Sequence, residues 1–150
     1  MMLAYRLVRL IETHSEGLAK SLRERIAICD KCPDYKNVAP EDLEHLVYGI
    51  YRNLGEWLLG KTEADIEHRY VAVGAKRAKQ GVPLAQVIWV IALVKDNLWE
   101  YLKDKSVMER PAEVFGELEM LQLLEQFFDR AQFYAAKGYE ESIKKQAVND

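Results

Sequence analysis

The most apolar segment of this chain is Gly81-Val-Pro-Leu-Ala-Gln-Val-Ile-Trp-Val-Ile-Ala-Leu-Val-Lys-Asp-Asn-Leu-Trp-Glu-Tyr-Leu102. From Leu84 onward its apolar residues recur three or four positions apart, which is the spacing of one face of an α-helix. Pro83 suits the start of that helix, because the N–H that proline lacks would have no partner there. Further apolar residues lie off this stripe, so the helix belongs at the centre of a domain or at an interface with a partner. The polar residues at positions 95–97 argue against a membrane span.

The same periodicity predicts four more helices, which span residues 3–28, 40–60, 62–80 and 111–139. Thr62-Glu-Ala-Asp65 resembles a capping box at the start of the third helix. The polar residues 140–150 are expected to fray. No window alternates apolar and polar residues, so the sequence predicts an all-α fold of five main helices. They are arranged as a helical bundle or in a globin-like packing, because crossing angles depend on three-dimensional fit.

Length and composition set the class of protein. The 150 residues are most simply one domain, with 49% hydrophobic and 30% charged residues, the balance of a globular chain. The net charge of −3 gives no general reason to bind nucleic acid or an anionic membrane. The N-terminus lacks the apolar core of a signal peptide, so we expect a cytoplasmic protein.

Recognisable catalytic motifs are missing from the sequence. No serine stands in a Gly-x-Ser-x-Gly elbow, and no glycine-rich phosphate loop occurs. We therefore expect no enzyme and assign no catalytic residues.

The histidines raise the question of a metal or haem site. Asp42-Leu-Glu-His45 and Asp65-Ile-Glu-His68 each place a carboxylate and a histidine three residues apart, as in di-iron bundles. His14 lies on an apolar stripe, a setting that suits a haem ligand or a core histidine. We favour exposed polar residues for both pairs and a core residue for His14, and so expect no metal ligands and no cofactor. A cofactor protein, with haem or a di-metal site on these histidines, stays the alternative.

Cys29 and Cys32 form a single Cys-x-x-Cys pair. A structural zinc needs four ligands, and a second pair is missing. We favour two thiols at a helix end, with a histidine-completed metal site or a redox pair as alternatives.

One family resemblance rests on the run Arg69-Tyr-Val-Ala-Val-Gly-Ala-Lys-Arg77-Ala-Lys-Gln-Gly81-Val-Pro83-Leu84, followed by Val87, Trp89, Lys95, Leu98 and Trp99. Together with Gly55-Glu-Trp-Leu58 it resembles the helical N-terminal sensor domain of RsbR/RsbRD-type bacterial stress regulators. The resemblance implies a globin-like, all-α domain that lacks haem, is usually dimeric, has no catalytic residues and passes a signal to an output module.

We therefore expect a sensory or regulatory domain that binds a small ligand or a signalling protein partner and relays the signal through helix rearrangement. The candidate ligand-binding residues are His14, Tyr70, Arg77, Lys95 and Trp99. Lys95 lies within the apolar stripe, where its ammonium either reaches water or pairs with a carboxylate or an anionic ligand. Trp89 and Leu93 lie off the stripe and could form a homodimer interface or be covered by a neighbouring helix. A pure protein-interaction module without a small ligand is a further alternative.

Overall fold

The computed structural model describes residues 2–105 and 111–149. Its α-helices are α1 (Met2–Thr13), α2 (Ser15–Ile28), α3 (Pro40–Arg52), α4 (Glu63–Lys79), α5 (Leu84–Lys105) and α6 (Pro111–Asn149). A short 3₁₀ helix, Pro33–Asn37, joins α2 to α3, and a π-helical turn, Glu56–Gly60, precedes α4. No strand occurs in these ranges, so the prediction of an all-α fold is confirmed.

The helix boundaries differ from the predicted ones in three places. The first predicted helix is divided at His14, whose backbone leaves the helical range with φ −101° and ψ 20°. The second predicted helix ends early, at Arg52, and its last residues form the π-helical turn. Residues 140–149, expected to fray, continue α6. The start of this extension is held against α4 by buried Ser142, whose hydroxyl donates to the carbonyl of Ala75 at 3.5 Å.

Helix α4 has well-defined ends. At its start the Thr62 backbone N–H donates to Asp65 at 2.8 Å, and the Asp65 N–H donates back to the Thr62 hydroxyl at 3.3 Å, which confirms the capping box. At its end Gly81 adopts φ +75°, a conformation that glycine takes without steric cost. The N–H of Val82 then reaches back to the carbonyl of Arg77 at 3.1 Å. These bonds fix Arg77 in the last turn of α4.

Helices α4 and α6 approach each other through glycine. A Cβ atom built on Gly74 would overlap the carbonyl of Ala135, and one built on Gly138 would overlap the carbonyl of Val71. The two backbones are therefore in direct contact, without intervening side chains. Tyr139 adds a 2.6 Å hydrogen bond from its hydroxyl to the carbonyl of Val82, just beyond α4.

Helix α5 lies in the core, as its apolar composition indicates. Its buried residues are Val87, Val90, Ile91, Val94, Asn97, Leu98 and Leu102. Asn97 is the polar member: its amide donates to the carbonyl of Leu18 at 3.0 Å and to the Tyr51 hydroxyl at 3.3 Å, and its oxygen accepts from Ser21 at 3.0 Å. The buried amide thus ties α5 to α2 and α3. Within the described ranges, none of the helices combines the length and apolar character needed to cross a membrane.

Candidate functional site: a basic cleft on helix α4

A cleft of about 330 Å³ opens between the start of α3 and one face of α4. It is lined by Asp42, His68, Arg69, Ala72, Val73, Lys76 and Arg77, and is called the Arg77 cleft below. All of these residues except Asp42 belong to α4, where spacings of three and four residues bring them onto one face. The cleft therefore carries more positive than negative side chains.

Arg77 is the unusual residue of this cleft. It is only 2% exposed, although arginine is rarely buried unless it is paired. Its Nη1 donates to Gln80 at 3.0 Å, and its guanidinium lies 5.8 Å from the centre of the Tyr35 ring. Its Nε is buried without a hydrogen-bond partner, and Arg77 forms no ion pair with any residue in the described ranges. A buried guanidinium is thus left short of one acceptor and of a counter-ion.

Asp42 is the acidic residue that lines the cleft with Arg77, but its two oxygens are already engaged. One accepts from Lys76 at 2.8 Å and the other from Gln80 at 3.5 Å. The hydrogen bond and charge of Lys76, with a further contribution from Arg77, hold the pKa of Asp42 below its usual range. Asp42 therefore stays ionised and positions Lys76 and Gln80 at the rim of the cleft.

Arg69 and Tyr35 extend the polar surroundings. The Nε of Arg69 is also buried without a hydrogen-bond partner, and its guanidinium lies 5.6 Å from the Trp57 ring. Burial raises the pKa of Tyr35, and the charge of the adjacent Arg77 together with its side-chain hydrogen bond partly opposes this rise. Tyr35 therefore stays a neutral phenol in the physiological range and offers Arg77 a ring face rather than a counter-charge.

Of the five residues proposed from the sequence, Arg77 alone lines this cleft. Lys95 and Trp99 lie together elsewhere, where both donate to Glu125 of α6, at 3.3 and 3.0 Å respectively. Lys95 is thus paired with a carboxylate. The sequence left open whether its ammonium reaches water or pairs with such a group. Both charged groups keep partial access to water.

Tyr70 and His14 occupy two further environments. Tyr70 is 1% exposed and packs edge-on against Trp57 and Phe127, with ring centres 6.3 and 5.9 Å away. Burial raises its pKa, so it stays a neutral core residue. His14 is exposed rather than a core residue. Its Nδ1 lies 2.9 Å from the carbonyl of Leu10, and its ring centre lies 5.6 Å from that of Tyr101. The structure thus distributes the proposed residues over several places.

The remaining candidates concern dimerisation and metal binding. Trp89 is 38% exposed, with the ammonium of Lys31 4.5 Å above its ring, and Leu93 is half-buried. Across the described residues, no three His, Cys, Asp or Glu side chains converge in a way that could hold a metal ion. His68 is exposed in the Arg77 cleft, and the side chain of His45 lies outside the described part of the structure.

Sequence reasoning missed Arg69 and Lys76 as site residues and considered Asp42 only as a metal ligand. The sequence did contain a pattern that indicates this site, because residues 69, 72, 73 and 76 follow the spacing of one helix face. Arg69 and Lys76 lie on a face of α4 that is mostly outside the core, and they could have been grouped with Arg77 as one candidate site. What the sequence could not provide was the position of α3, which brings Asp42 to this face.

The fold defines an all-α domain, and the cleft on α4 carries charged groups of both signs. Residues 9–150 match the family model of the RsbT co-antagonist protein rsbRD N-terminal domain. The chain belongs to this family, and the resemblance seen in the sequence is confirmed. The family is one of regulatory domains in stress signalling, which agrees with a non-enzymatic role. Searches of the curated proteins and of the solved structures gave no significant match.

Proposed function

We propose that this regulatory domain binds a small anion in the Arg77 cleft and relays the binding event through α4 to α6. The observation that supports the proposal is the buried Arg77, whose Nε has no hydrogen-bond partner and whose charge forms no ion pair within the described ranges. Leaving one partner of a buried ion pair without the other costs on the order of 3–5 kcal/mol, and the charge of Asp42 offsets only part of such a cost for Arg77. A bound carboxylate or phosphate would remove this penalty.

The chemistry of the cleft suits such an anion. The guanidinium presents N–H donors in a planar fork, which matches the two oxygens of a carboxylate or phosphate. Lys76 and Arg69 add positive charge on the same wall. Ala72 and Val73 supply an apolar floor, so a small organic anion fits better than a fully hydrated ion.

The relay rests on the opposite face of α4. Gly74 touches Ala135 and Gly138 touches Val71 through the backbone, so α4 cannot shift without moving α6 or breaking this contact. Two ion pairs flank the contact, Arg130 with Glu63 at 2.8 Å and Lys137 with Glu67 at 3.3 Å. A ligand that prefers one placement of α4 would thereby bias the placement of α6.

Thermal unfolding with inorganic phosphate and with succinate as probes tests the binding site. A ligand that binds only the folded state stabilises it by about 2.7 kcal/mol at a hundred-fold excess over its Kd. We expect at least one probe to raise the Tm of the wild-type protein and to leave that of Arg77→Met unchanged. Lys79→Met is the matched control, because Lys79 is an exposed cation of the same helix end that does not line the cleft.

Two outcomes would contradict the proposal. An equal Tm rise in Arg77→Met would place any binding elsewhere, and the absence of a rise with either probe in the wild type would remove the anion site. Circular dichroism of Arg77→Met must show native helix content, since the variant also loses the contact with Tyr35.

A homodimer is the second candidate function, favoured by one exposed apolar surface. Trp89 of α5 and Phe133 of α6 are 38% and 63% exposed. Their neighbours Ile88 and Gln132 are joined by a 3.3 Å hydrogen bond from the Gln132 amide to the Ile88 carbonyl, so the two rings flank the same α5–α6 junction. Light scattering of wild type and Trp89→Ser tests this candidate: a dimer that becomes monomeric supports it, and a monomeric wild type excludes it.

A further inference from the structure

The two cysteines meet at the turn between α2 and the 3₁₀ helix. Cys29 is the residue that follows α2, and Cys32 immediately precedes Pro33. Residues 30 and 31 form the centre of a tight turn, which makes the cysteines its first and fourth residues. The Cα atoms of such positions lie within about 7 Å of each other. This separation is within the range that a disulfide bond spans.

The two thiols have different surroundings. Cys32 is 0% exposed and belongs to the core, whereas Cys29 is half-buried and faces Trp89 and the Cys32 side chain. Lys31, two residues after Cys29, holds its ammonium 4.5 Å from the centre of the Trp89 ring. Cys29 therefore keeps partial access to a reagent in solvent, whereas Cys32 is enclosed in the core.

Hydrogen bonding reinforces this difference. Burial raises the pKa of Cys29, but hydrogen bonds from the Cys32 side chain, the Lys31 backbone and the Trp89 indole outweigh it and bring the pKa below its ordinary value. Burial, together with the hydrogen bond and charge of Cys29, raises the pKa of Cys32 to about 12. Thiolate is the attacking form in exchange reactions, so Cys29 is the better nucleophile of the pair.

We propose that Cys29 and Cys32 are a redox-modification site, in which Cys29 attacks a low-molecular-weight disulfide and Cys32 resolves the adduct. The placement of an accessible and a buried thiol at the two ends of one turn supports these roles. A structural metal is the competing use of a Cys-x-x-Cys pair. It would need further ligands, and in the described ranges no third His, Cys, Asp or Glu completes a cluster with these two.

The reaction with oxidised glutathione proceeds in two exchanges. The Cys29 thiolate attacks one sulfur of the reagent, forms a mixed disulfide and releases one glutathione thiolate. Cys32 then gives its proton to a solvent base or to the released thiolate and attacks the Cys29 sulfur. The mixed disulfide breaks and the second glutathione leaves. The dithiol is oxidised and the reagent is reduced to two glutathione thiols, with no other co-reactant.

The reaction also has a local structural reporter. The disulfide removes the Cys29 thiol and its hydrogen bond with Cys32, next to Trp89. The indole then loses the Cys29 thiol as a hydrogen-bond partner. Since Trp89 lies on the exposed α5 surface, oxidation alters that surface directly.

The test is intact-mass spectrometry of the reduced protein after incubation with oxidised glutathione. We expect the wild type to lose two hydrogens without retaining glutathione. Cys32→Ser should stop at a single glutathione adduct on Cys29, and Cys29→Ser should react at least ten-fold more slowly. Trp89 fluorescence should change with oxidation in the wild type, and the change should vanish in Trp89→Phe.

A second measurement covers the case in which Cys32→Ser fails to fold. Alkylation of the reduced wild type with limiting iodoacetamide, followed by peptide mapping, should label Cys29 at least ten-fold faster than Cys32. Equal labelling of both cysteines, or a dithiol that survives equilibration with excess oxidised glutathione, overturns the proposal. Neither result bears on the anion site, because Cys29 and Cys32 do not line the Arg77 cleft.

Discussion

Gly74 of α4 lies against the carbonyl oxygen of Ala135 in α6 with no space for even a methyl group between them. A Cβ at this position would meet backbone atoms, which cannot rotate away as the end of a flexible side chain can. The contact explains how α4 can present a basic cleft on one face and remain closely packed on the other. It also makes the spacing between the two helices sensitive to a single carbon atom.

The first prediction concerns this contact. Gly74→Ala should lower the free energy of unfolding by about 3 kcal/mol, because overpacking against backbone forces the two helices apart. Gly17→Ala is the matched control, since Gly17 lies in α2 and an added Cβ there meets nothing within 4 Å. The control should gain about 0.5–1 kcal/mol from the higher helix propensity of alanine. Urea unfolding measures both, and equal stabilities of the two variants would show that α4 and α6 are not in backbone contact.

Asn97 provides the second prediction. Asn97→Ala should cost about 2–3 kcal/mol, because the Leu18 carbonyl and the Ser21 hydroxyl lose their hydrogen-bond partner in a buried setting. Asn37→Ala, at an exposed position, should change stability by less than about 0.5 kcal/mol. Chemical denaturation of the two variants makes the comparison. A cost for Asn97→Ala no greater than for Asn37→Ala would place the Asn97 amide in solvent.

Gly74 and Asn97 show which parts of the fold could and could not be predicted from the sequence. The apolar periodicity of α5 predicted its central position, and Thr62 with Asp65 predicted the start of α4 from local chemistry alone. Asn97 was not recognised as buried, because one polar residue among charged neighbours looks exposed in a sequence pattern. Its burial depends on Ser21 and Tyr51, which lie on other helices. The place of Gly74 depends in the same way on where α6 crosses.

The residues of the candidate site also divide into those that the local sequence indicates and those whose position depends on other helices. Arg77 belongs to the run that carries the family resemblance, ahead of Gln80-Gly81 and Pro83-Leu84. Lys95 and Trp99 were grouped with it by helical spacing on α5, but Glu125 of α6 draws both to a different place. Long-range pairing between helices decides such groupings, and helix periodicity carries no information about it.

The pair formed by Lys95 and Glu125 gives the third prediction. Lys95→Met should change the free energy of unfolding by less than about 1 kcal/mol, because both side chains keep partial access to water and exposed ion pairs contribute little. It should also leave the response of Tm to phosphate unchanged, since Lys95 does not line the Arg77 cleft. Thermal unfolding with and without phosphate measures both quantities. A lost phosphate response in Lys95→Met would move the anion site to α5.

The fourth prediction concerns acid. Hydrogen bonds from the backbone and hydroxyl of Thr62 hold the pKa of Asp65 below its ordinary value of 3.8. A carboxyl whose folded pKa is depressed adds stability above the unfolded pKa and loses it as the pH falls through the folded pKa. The contribution of Asp65 should therefore disappear as the pH falls below about 4.

Thr62→Ala tests the cause of that shift. The variant removes the hydroxyl that donates to Asp65 at 3.0 Å but keeps the backbone N–H. NMR titration of the Asp65 carboxyl should show a pKa that moves part of the way back toward its ordinary value. The Asp42 carboxyl serves as an internal control, because its lowered pKa depends on Lys76 and should not change. An unchanged Asp65 pKa in Thr62→Ala would assign the shift to the backbone N–H alone.

The last prediction addresses the relay, and it separates binding from transmission. If an anion in the Arg77 cleft biases α4, phosphate or succinate should slow amide hydrogen exchange both in α4 and in the part of α6 around Ala135 and Gly138. Helix α2 has no residue in the cleft, so its exchange should change less. In Arg77→Met the protection should vanish from both helices. In Gly74→Ala, if it folds, the ligand should still protect α4 but no longer α6, because the added methyl group separates the two backbones. Protection of α4 alone in the wild type would leave the anion site in place and reject the relay through α6.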